Sequence, residues 1–384
     1  MTSPQTVVIL GGGIGGLATA RALRRRLSRR HRIILVDRER QHVFAPSLLW
    51  LMTGQRWPEQ LQRPLTALAP RGVELLVGEV ERIEPEARRV ILNGRPVEWD
   101  YLVISLGAEL APEAIPGLRE AGYNLYDLPG AVGLRDALAA HRAGRVVVLT
   151  AAPAYKCPAA PYEAAFLIAD ALHIGSSRAI GEVAVYAAEP GPMGVAGPEV
   201  SGAIRQLLQA RQIPYFPEHQ VTEVDPLARR ITFANGARTE FDLLAYVPPH
   251  RAPGVVRESG LTTETGWIGV DRHTLETGFP RVYAIGDVVS IPLSLGKPLP
   301  KAGVFAHGQA KVVAKNIAGL IAGQPTAQRF DGHGECFVEV GGGRAGFGTG
   351  NFYAEPTPTI TLRPPSWRWH LGKVLLEKLW LRRW

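Results

Sequence analysis

Apolar residues in this chain gather in short unbroken runs that each end on glycine, alanine or an acid, and the runs alternate with stretches of helical periodicity. Thr6 to Leu10 (TVVIL), Arg32 to Val36 (RIILV), Arg145 to Thr150 (RVVVLT) and Arg281 to Ile285 (RVYAI) are apolar and β-branched at successive positions. Such runs predict strands buried on both faces, as parallel sheets require. Helical patterns follow over Leu17 to Leu27 and from Pro161 through Leu172. Strands alternating with helices predict an α/β fold with two Rossmann-like units. The expected division is a discontinuous first unit over 1–108 and 241–320, with a second unit over 109–240 inserted into it. A C-terminal region over 321–384 follows, with an amphipathic helix over 366–384.

The first strand runs directly into Gly11-Gly12-Gly13-Ile14-Gly15-Gly16, which matches G-x-G-x-x-G, and a helix begins at once. The second strand ends on Asp37, 21 residues beyond Gly16 and close to the spacing of a ribose-binding acid. Gly11 allows the tight turn, Gly13 lets the backbone approach a pyrophosphate, and Gly16 lets helix and strand pack closely. The helix N-terminus then faces the phosphates. Strand, glycines, helix, strand and acid in one unit define a dinucleotide site, in which Arg38, Pro46 and Val80 are further expected contacts.

Composition narrows the class. The 384 residues have room for two to three domains, and 46% hydrophobic against 20% charged residues excludes a disordered or coiled-coil chain. A net charge of +8 suggests an acidic partner such as lipid, nucleic acid or phosphate. Nucleic acid is not expected, because no binding motif accompanies the basic cluster Arg24, Arg25, Arg26, Arg29 and Arg30. No apolar run reaches the ~18 residues of a spanning helix. No signal peptide is expected either, since a strand and a glycine turn occupy the start of the chain. Cys157 and Cys336 are the two cysteines, too few and too far apart for a disulfide framework or a zinc module. They begin as two inert thiols.

The second unit lacks its glycines. After Arg145 to Thr150 the turn reads Ala151-Ala-Pro-Ala-Tyr-Lys156-Cys157-Pro-Ala-Ala-Pro161-Tyr-Glu163. Prolines and alanines keep the backbone away from a pyrophosphate, so a nicotinamide donor is not expected. Cys157 precedes a helix N-terminus and adjoins Lys156, two features that favour a thiolate. Cys336 lies between a polar loop and the strand-like Phe337 to Val340, where by residues alone it reads equally as a core position.

The N-terminal fingerprint, the strand ending in Gly107-Ala108 and the strand closing on Gly286-Asp287 resemble the three FAD-contacting segments of two-dinucleotide-domain flavoprotein reductases. Pro300-Lys301-Ala302-Gly303 and Ala306-His307-Gly308-Gln309-Ala310 are similar to the segment that passes under the isoalloxazine. The resemblance implies non-covalent FAD, with Asp287 against its ribityl or phosphate region.

More narrowly, Lys156-Cys157-Pro-Ala-Ala-Pro-Tyr-Glu163, His42-Val-Phe-Ala-Pro46, Gly334-Glu-Cys336-Phe and Trp369-His-Leu-Gly-Lys373 resemble the sulfide:quinone oxidoreductase and flavocytochrome c sulfide dehydrogenase family. The likeness extends over nearly the whole chain. It implies that Cys157 and Cys336 form a redox-active disulfide. Hydrosulfide would attack it, leaving a persulfide on one cysteine and a thiolate on the other, which passes two electrons to the flavin. Glu163 matches the family acid, either as general acid/base or as a glutamate favoured by the helix dipole. The chain departs from the pattern in two places. It has no third cysteine across Gly122 to Leu128, and no histidine across Ala188 to Gly194.

The tail WRWHLGKVLLEKLWLRRW combines tryptophans, leucines and five Lys/Arg at roughly helical spacing. It reads as an interfacial helix on a bilayer, with a helix docked on its own core or in a dimer as the alternative. Phe347, Phe352, Tyr353 and Lys373 are candidates for a quinone pocket, although Lys373 also reads as a snorkelling basic residue. The expectation is a peripheral, monotopic membrane enzyme oxidising sulfide and reducing quinone, with membrane face and oligomeric state left open. Donation to a cytochrome c and type II NADH dehydrogenase activity are the alternatives.

Overall fold

The computed structural model describes residues 3–177, 179–325 and 327–383. Trp384, the last residue of the expected tail helix, lies outside the described residues. In chain order, β1 (Thr6–Leu10), α1 (Ile14–Arg24), β2 (Arg32–Asp37), β3 (Glu74–Val77) and β4 (Tyr101–Ile104) build the first unit. The inserted unit supplies β5 (Tyr123–Asn124), β6 (Arg145–Thr150), α2 (Ala160–Ala171), β7 (Glu182–Ala187), β8 (Tyr215–Phe216) and β9 (Leu243–Val247). The chain then returns with β10 (Val282–Ala284) and α3 (Gly303–Ile321). It ends in β11 (His333–Glu339), β12 (Ala345–Asn351), β13 (Thr359–Ser366) and α4 (Trp367–Arg383).

Both central sheets are parallel, in the orders β10-β4-β1-β2-β3 and β5-β9-β6-β7-β8. Each sheet is covered by helices on one face and by a three-stranded antiparallel sheet (residues 80–98 in the first unit, 221–240 in the second) on the other, so every residue from Val7 to Leu10 and from Val146 to Leu149 is fully buried. The α/β fold of two Rossmann-like units is therefore as its apolar runs predict. One boundary moves: β9 pairs with β6 in the second sheet, so the first unit resumes after Val247, not at residue 241. The two chain crossings between units run side by side as a short antiparallel pair, Glu109–Leu110 with His250–Arg251.

The C-terminal strands form an antiparallel sheet in which Cys336 faces Gly348 and Phe337 faces Phe347. Val338 and Val340 join the core of the second unit, together with Leu48 to Met52 and the buried face of α2. The C-terminal region is thus packed into the body of the molecule. Ser366 ends β13, so the tail helix begins at Trp367.

Candidate active site

The glycine turn of the first unit is open where a ligand needs it. A Cβ on Gly16 would lie 1.8 Å from the Gly11 carbonyl oxygen, and one on Gly11 2.3 Å from that of Ser105. Both positions must be glycine for the backbones to meet. At Gly13 a Cβ would meet nothing within 4 Å. Gly13 is the N-cap of α1, where no side chain caps the helix and no acid occupies the first turn. The starting amides of α1 are therefore left for an anionic ligand.

Asp37 accepts from the Gly12 amide at 2.5 Å and the Glu39 amide at 2.7 Å. Burial pushes its carboxyl up, and these amides pull against that shift. Gly107 and Gly286 both take positive φ, and the Gly286 amide donates to Gln309 Oε1 at 2.8 Å. Burial likewise raises the Asp287 carboxyl, against the pull of Lys156 and Lys301. The Lys301 ammonium donates to the carbonyls of Asp287 and Val289 and sits 3.4 Å above the Trp267 ring centroid. Its burial pushes the pKa down to about 8. At the start of α3, Gly303 makes room for Ile14, since a Cβ there would lie 2.5 Å from Ile14 Cδ1. Of the remaining candidates, Arg38 is solvent-exposed beside Glu39, Pro46 opens a 3-10 turn, and Val80 packs on the first core. A cradle of unspent amides with an acid at the second strand end fits the pyrophosphate and ribose of a dinucleotide.

The corresponding turn of the second unit is filled. Glu189, just past β7, accepts hydroxyls from Thr150 at 2.7 Å, Tyr162 at 2.7 Å and Tyr155 at 2.5 Å. Burial holds both phenols far above their ordinary range, so they act as neutral donors. The acid that a nicotinamide nucleotide would need is already bound by the protein.

Cys157 occupies this turn with φ +48°, a left-handed conformation that costs a non-glycine residue on the order of 1 kcal/mol. Hydrogen bonds hold it there: its amide donates to the Lys301 carbonyl at 2.6 Å, and its carbonyl accepts from the Ala160 amide and the Tyr126 hydroxyl. Cys336, on β11, packs into the same apolar cluster as Cys157, and neither is in a disulfide.

The expected thiolate-favouring environment is not found. Burial pushes the Cys157 thiol up to about 12, and Glu163 adds to the rise. Burial raises Cys336 further, with the charge of Cys157 adding to it. Lys156 does not offset this, because its ammonium lies over the Tyr126 ring at 5.5 Å. The cation that stabilises either thiolate is Lys373, far away in sequence.

Lys373 is buried on α4 and donates to Glu163 Oε1 at 2.5 Å. The same oxygen accepts the Glu339 amide at 2.8 Å. Burial works against the Lys373 ammonium, but facing Glu163 and Glu339 outweighs it and the pKa rises. The Glu339 carboxyl is raised by burial and pairs with His370 Nδ1 at 3.0 Å. Glu163 thus stands in the first turn of α2 and at the centre of a buried charge network beside both thiols.

The four quinone candidates do not converge. Side chains alternate along a strand, so Phe347, opposite Phe337, lies on the sheet face away from Cys336. It stacks on Trp369 at 4.6 Å. Phe352 and Tyr353 belong instead to a ring cluster with Phe305 and Phe330. Lys373 alone is near a cysteine.

α4 is docked on the body of the molecule by one face and exposes apolar residues on the other. His370, Lys373, Glu377 and Trp380 face inward, with Glu377 paired to Arg56 at 3.0 Å and Trp380 Nε1 donating to His42 Nε2 at 2.9 Å. Trp367, Leu371, Leu375 and Leu376 face outward, each about half exposed. Sequence reading missed Glu189, Glu339, His370 and Trp380 as site residues. The stepping of 370, 373, 377 and 380 along one helical stripe signalled His370 and Trp380, and no local pattern signalled Glu189 or Glu339.

Two dinucleotide-type units, the first with an open glycine turn, and two cysteines in one apolar cluster define a two-dinucleotide-domain oxidoreductase. Residues 5–310 match the model of the pyridine nucleotide-disulphide oxidoreductase family, and the chain belongs to that family. Its cofactor is FAD. The chain is 28% identical over 393 residues to the sulfide-quinone reductase of Aquifex aeolicus, covering 98% of this chain and 90% of that protein. It is 24% identical over 370 residues to the mitochondrial sulfide:quinone oxidoreductase of Mus musculus, covering 92% and 80%. The crystal structure of the sulfide:quinone oxidoreductase from Aquifex aeolicus superimposes with a TM-score of 0.88, at 25% identity and with 98% and 90% coverage.

Proposed function

We propose that this enzyme oxidises sulfide through a Cys157–Cys336 disulfide and FAD, and delivers the electrons to a membrane quinone. The observation that carries the reading is the meeting of two cysteines 179 positions apart in one cluster, beside the Glu163–Lys373 pair. The names of the Aquifex and mouse relatives point the same way.

Hydrosulfide attacks one sulfur of the disulfide; the S–S bond breaks, one cysteine becomes a persulfide and the other a thiolate. A nucleophilic sulfur acceptor removes the sulfane sulfur and leaves two reduced cysteines. Their electron pair departs as the S–S bond reforms, and bound FAD is the two-electron acceptor. Lys373 offsets the transient thiolate charge, and Glu163 accepts the protons released when thiols become thiolates. Burial otherwise disfavours the thiolate at both cysteines, which makes Lys373 the electrostatic centre of the site.

The outward face of α4 suits an anchor lying in a bilayer surface, with exposed Arg368, Lys378 and Arg382 meeting anionic headgroups. No helix among the described residues is long and apolar enough to cross a membrane. Quinone is placed by this reading beneath α4, against the Phe347–Trp369 stack. Anaerobic titration tests the whole: sulfide bleaches the bound flavin promptly and NADH does not. Bleaching by NADH, or none by sulfide, overturns it.

A further inference from the structure

A hydrogen-bonded chain runs from the tail helix to the first glycine turn, and nothing in the sulfide chemistry above uses it. Trp380 Nε1 donates to His42 Nε2 at 2.9 Å, and His42 Nδ1 meets the Gly12 carbonyl oxygen at 3.0 Å. An indole N–H can only donate, so Nε2 carries the lone pair and the imidazole proton sits on Nδ1. His42 therefore donates to Gly12. The Gly12 amide is itself held by Asp37 at 2.5 Å, so both polar groups of this one residue are fixed by side chains.

The consequence falls on the next amide. A trans peptide is planar, and its carbonyl and N–H point to opposite sides. Tying the Gly12 carbonyl to His42 turns the Gly13 N–H the other way. Gly13 is the N-cap whose Cβ position faces open space at the start of α1. The indole that holds His42 is itself fixed, stacked on Phe44 at 6.2 Å and edge-on to His307 at 5.9 Å. Next to it, the Leu381 carbonyl accepts from Arg63, the residue directly across the strand pair from His42.

We propose that Trp380 and His42 are positioning residues for FAD: through them α4 holds the Gly12–Gly13 peptide in the orientation that binds the cofactor's pyrophosphate. The tail helix is thus part of the FAD site as well as a surface element. The inference rests on FAD as the cofactor and is independent of the sulfide reading.

The test is FAD release from the purified holoenzyme after dilution, followed by the rise in free-flavin fluorescence. W380F keeps an aromatic ring and loses the N–H; it releases FAD about tenfold faster, as loss of one buried hydrogen bond implies. H42N places an amide donor where Nδ1 stands, and releases FAD within about threefold of wild type. In the H42N background, W380F has no further effect, because the chain it feeds is already cut. Thermal melting supplies a second readout: W380F lowers the midpoint of the FAD-loaded protein by more than that of the flavin-stripped protein. Unchanged release in W380F, an additive effect in the double variant, or equal shifts in loaded and stripped protein overturns the proposal. A wild-type protein that carries no flavin overturns the cofactor assignment instead, and is told apart by its colour.

Discussion

The two units present the same scaffold twice, and only the first keeps an open glycine turn. Each has a buried strand, a turn, a helix and a second strand followed by an acid. In the first, Asp37 spends its oxygens on the backbone amides of Gly12 and Glu39, and the first turn of α1 stays uncapped. In the second, Glu189 spends its oxygens on three side-chain hydroxyls, and the turn is packed with tyrosines and a cysteine. Ligand capacity in this fold follows from which donors remain free after folding. The strands and helices are common to both units and decide nothing.

The comparison breaks most visibly at the cysteine. If the second turn has exchanged a nucleotide for a thiol, Cys157→Ser or Cys336→Ser slows flavin reduction by sulfide by at least about a thousandfold, as loss of a nucleophile does, while FAD stays bound. Stopped-flow absorbance checks it. Next come the glycines. Gly13→Leu folds, because its Cβ position is open, yet binds FAD at least about a hundredfold more weakly, a loss of about 3 kcal/mol. Gly16→Ala puts a methyl against the Gly11 carbonyl and loses stability even without flavin, by about 4 kcal/mol. Flavin content and urea midpoints separate the two.

Glu189→Ala orphans three buried hydroxyls and costs about 3 kcal/mol in a urea titration, and NADH still fails to reduce the flavin. A variant that gained NADH oxidation would show that the acid alone separates the units. The smallest effect is one of pH. Burial holds His42 down to about 4 from an ordinary 6.5, so between these values the unfolded chain binds more protons than the native one. Stability therefore falls as pH drops through this window, by at most about 1.4 kcal/mol per pH unit from this residue. Urea midpoints at pH 7, 6 and 5 should fall less steeply in H42N than in wild type; parallel slopes would remove His42 from the account.

What could be read from the sequence was local. Gly11 to Gly16 with Asp37 identified the open unit because turn, helix start and acid lie within one βαβ segment. The loss of glycine at Ala151 to Pro161 identified the filled one for the same reason. Cys157 with Cys336 came through family likeness, since no periodicity joins positions on different sheets. The thiolate expected at Cys157 failed because its burial comes from distant packing, and its compensating cation, Lys373, lies 210 residues from the carboxylate that holds it. That Phe347 lies on the sheet face away from Cys336 was not legible, because strand alternation depends on a register that the pattern of a Gly-rich strand does not specify.

The bond between Trp380 and His42 spans 338 residues, and that fixes an order of events during synthesis. The strand, glycine turn and helix of the first unit leave the ribosome early and can fold locally, as N-terminal segments generally do first. The peptide at Gly12, however, stays without its final restraint until residue 380 has emerged and the tail has docked. On the proposed role of this bond, tight retention of FAD waits for the docking of α4. A chain without residue 380 is then expected to release FAD about tenfold faster, the change set for W380F.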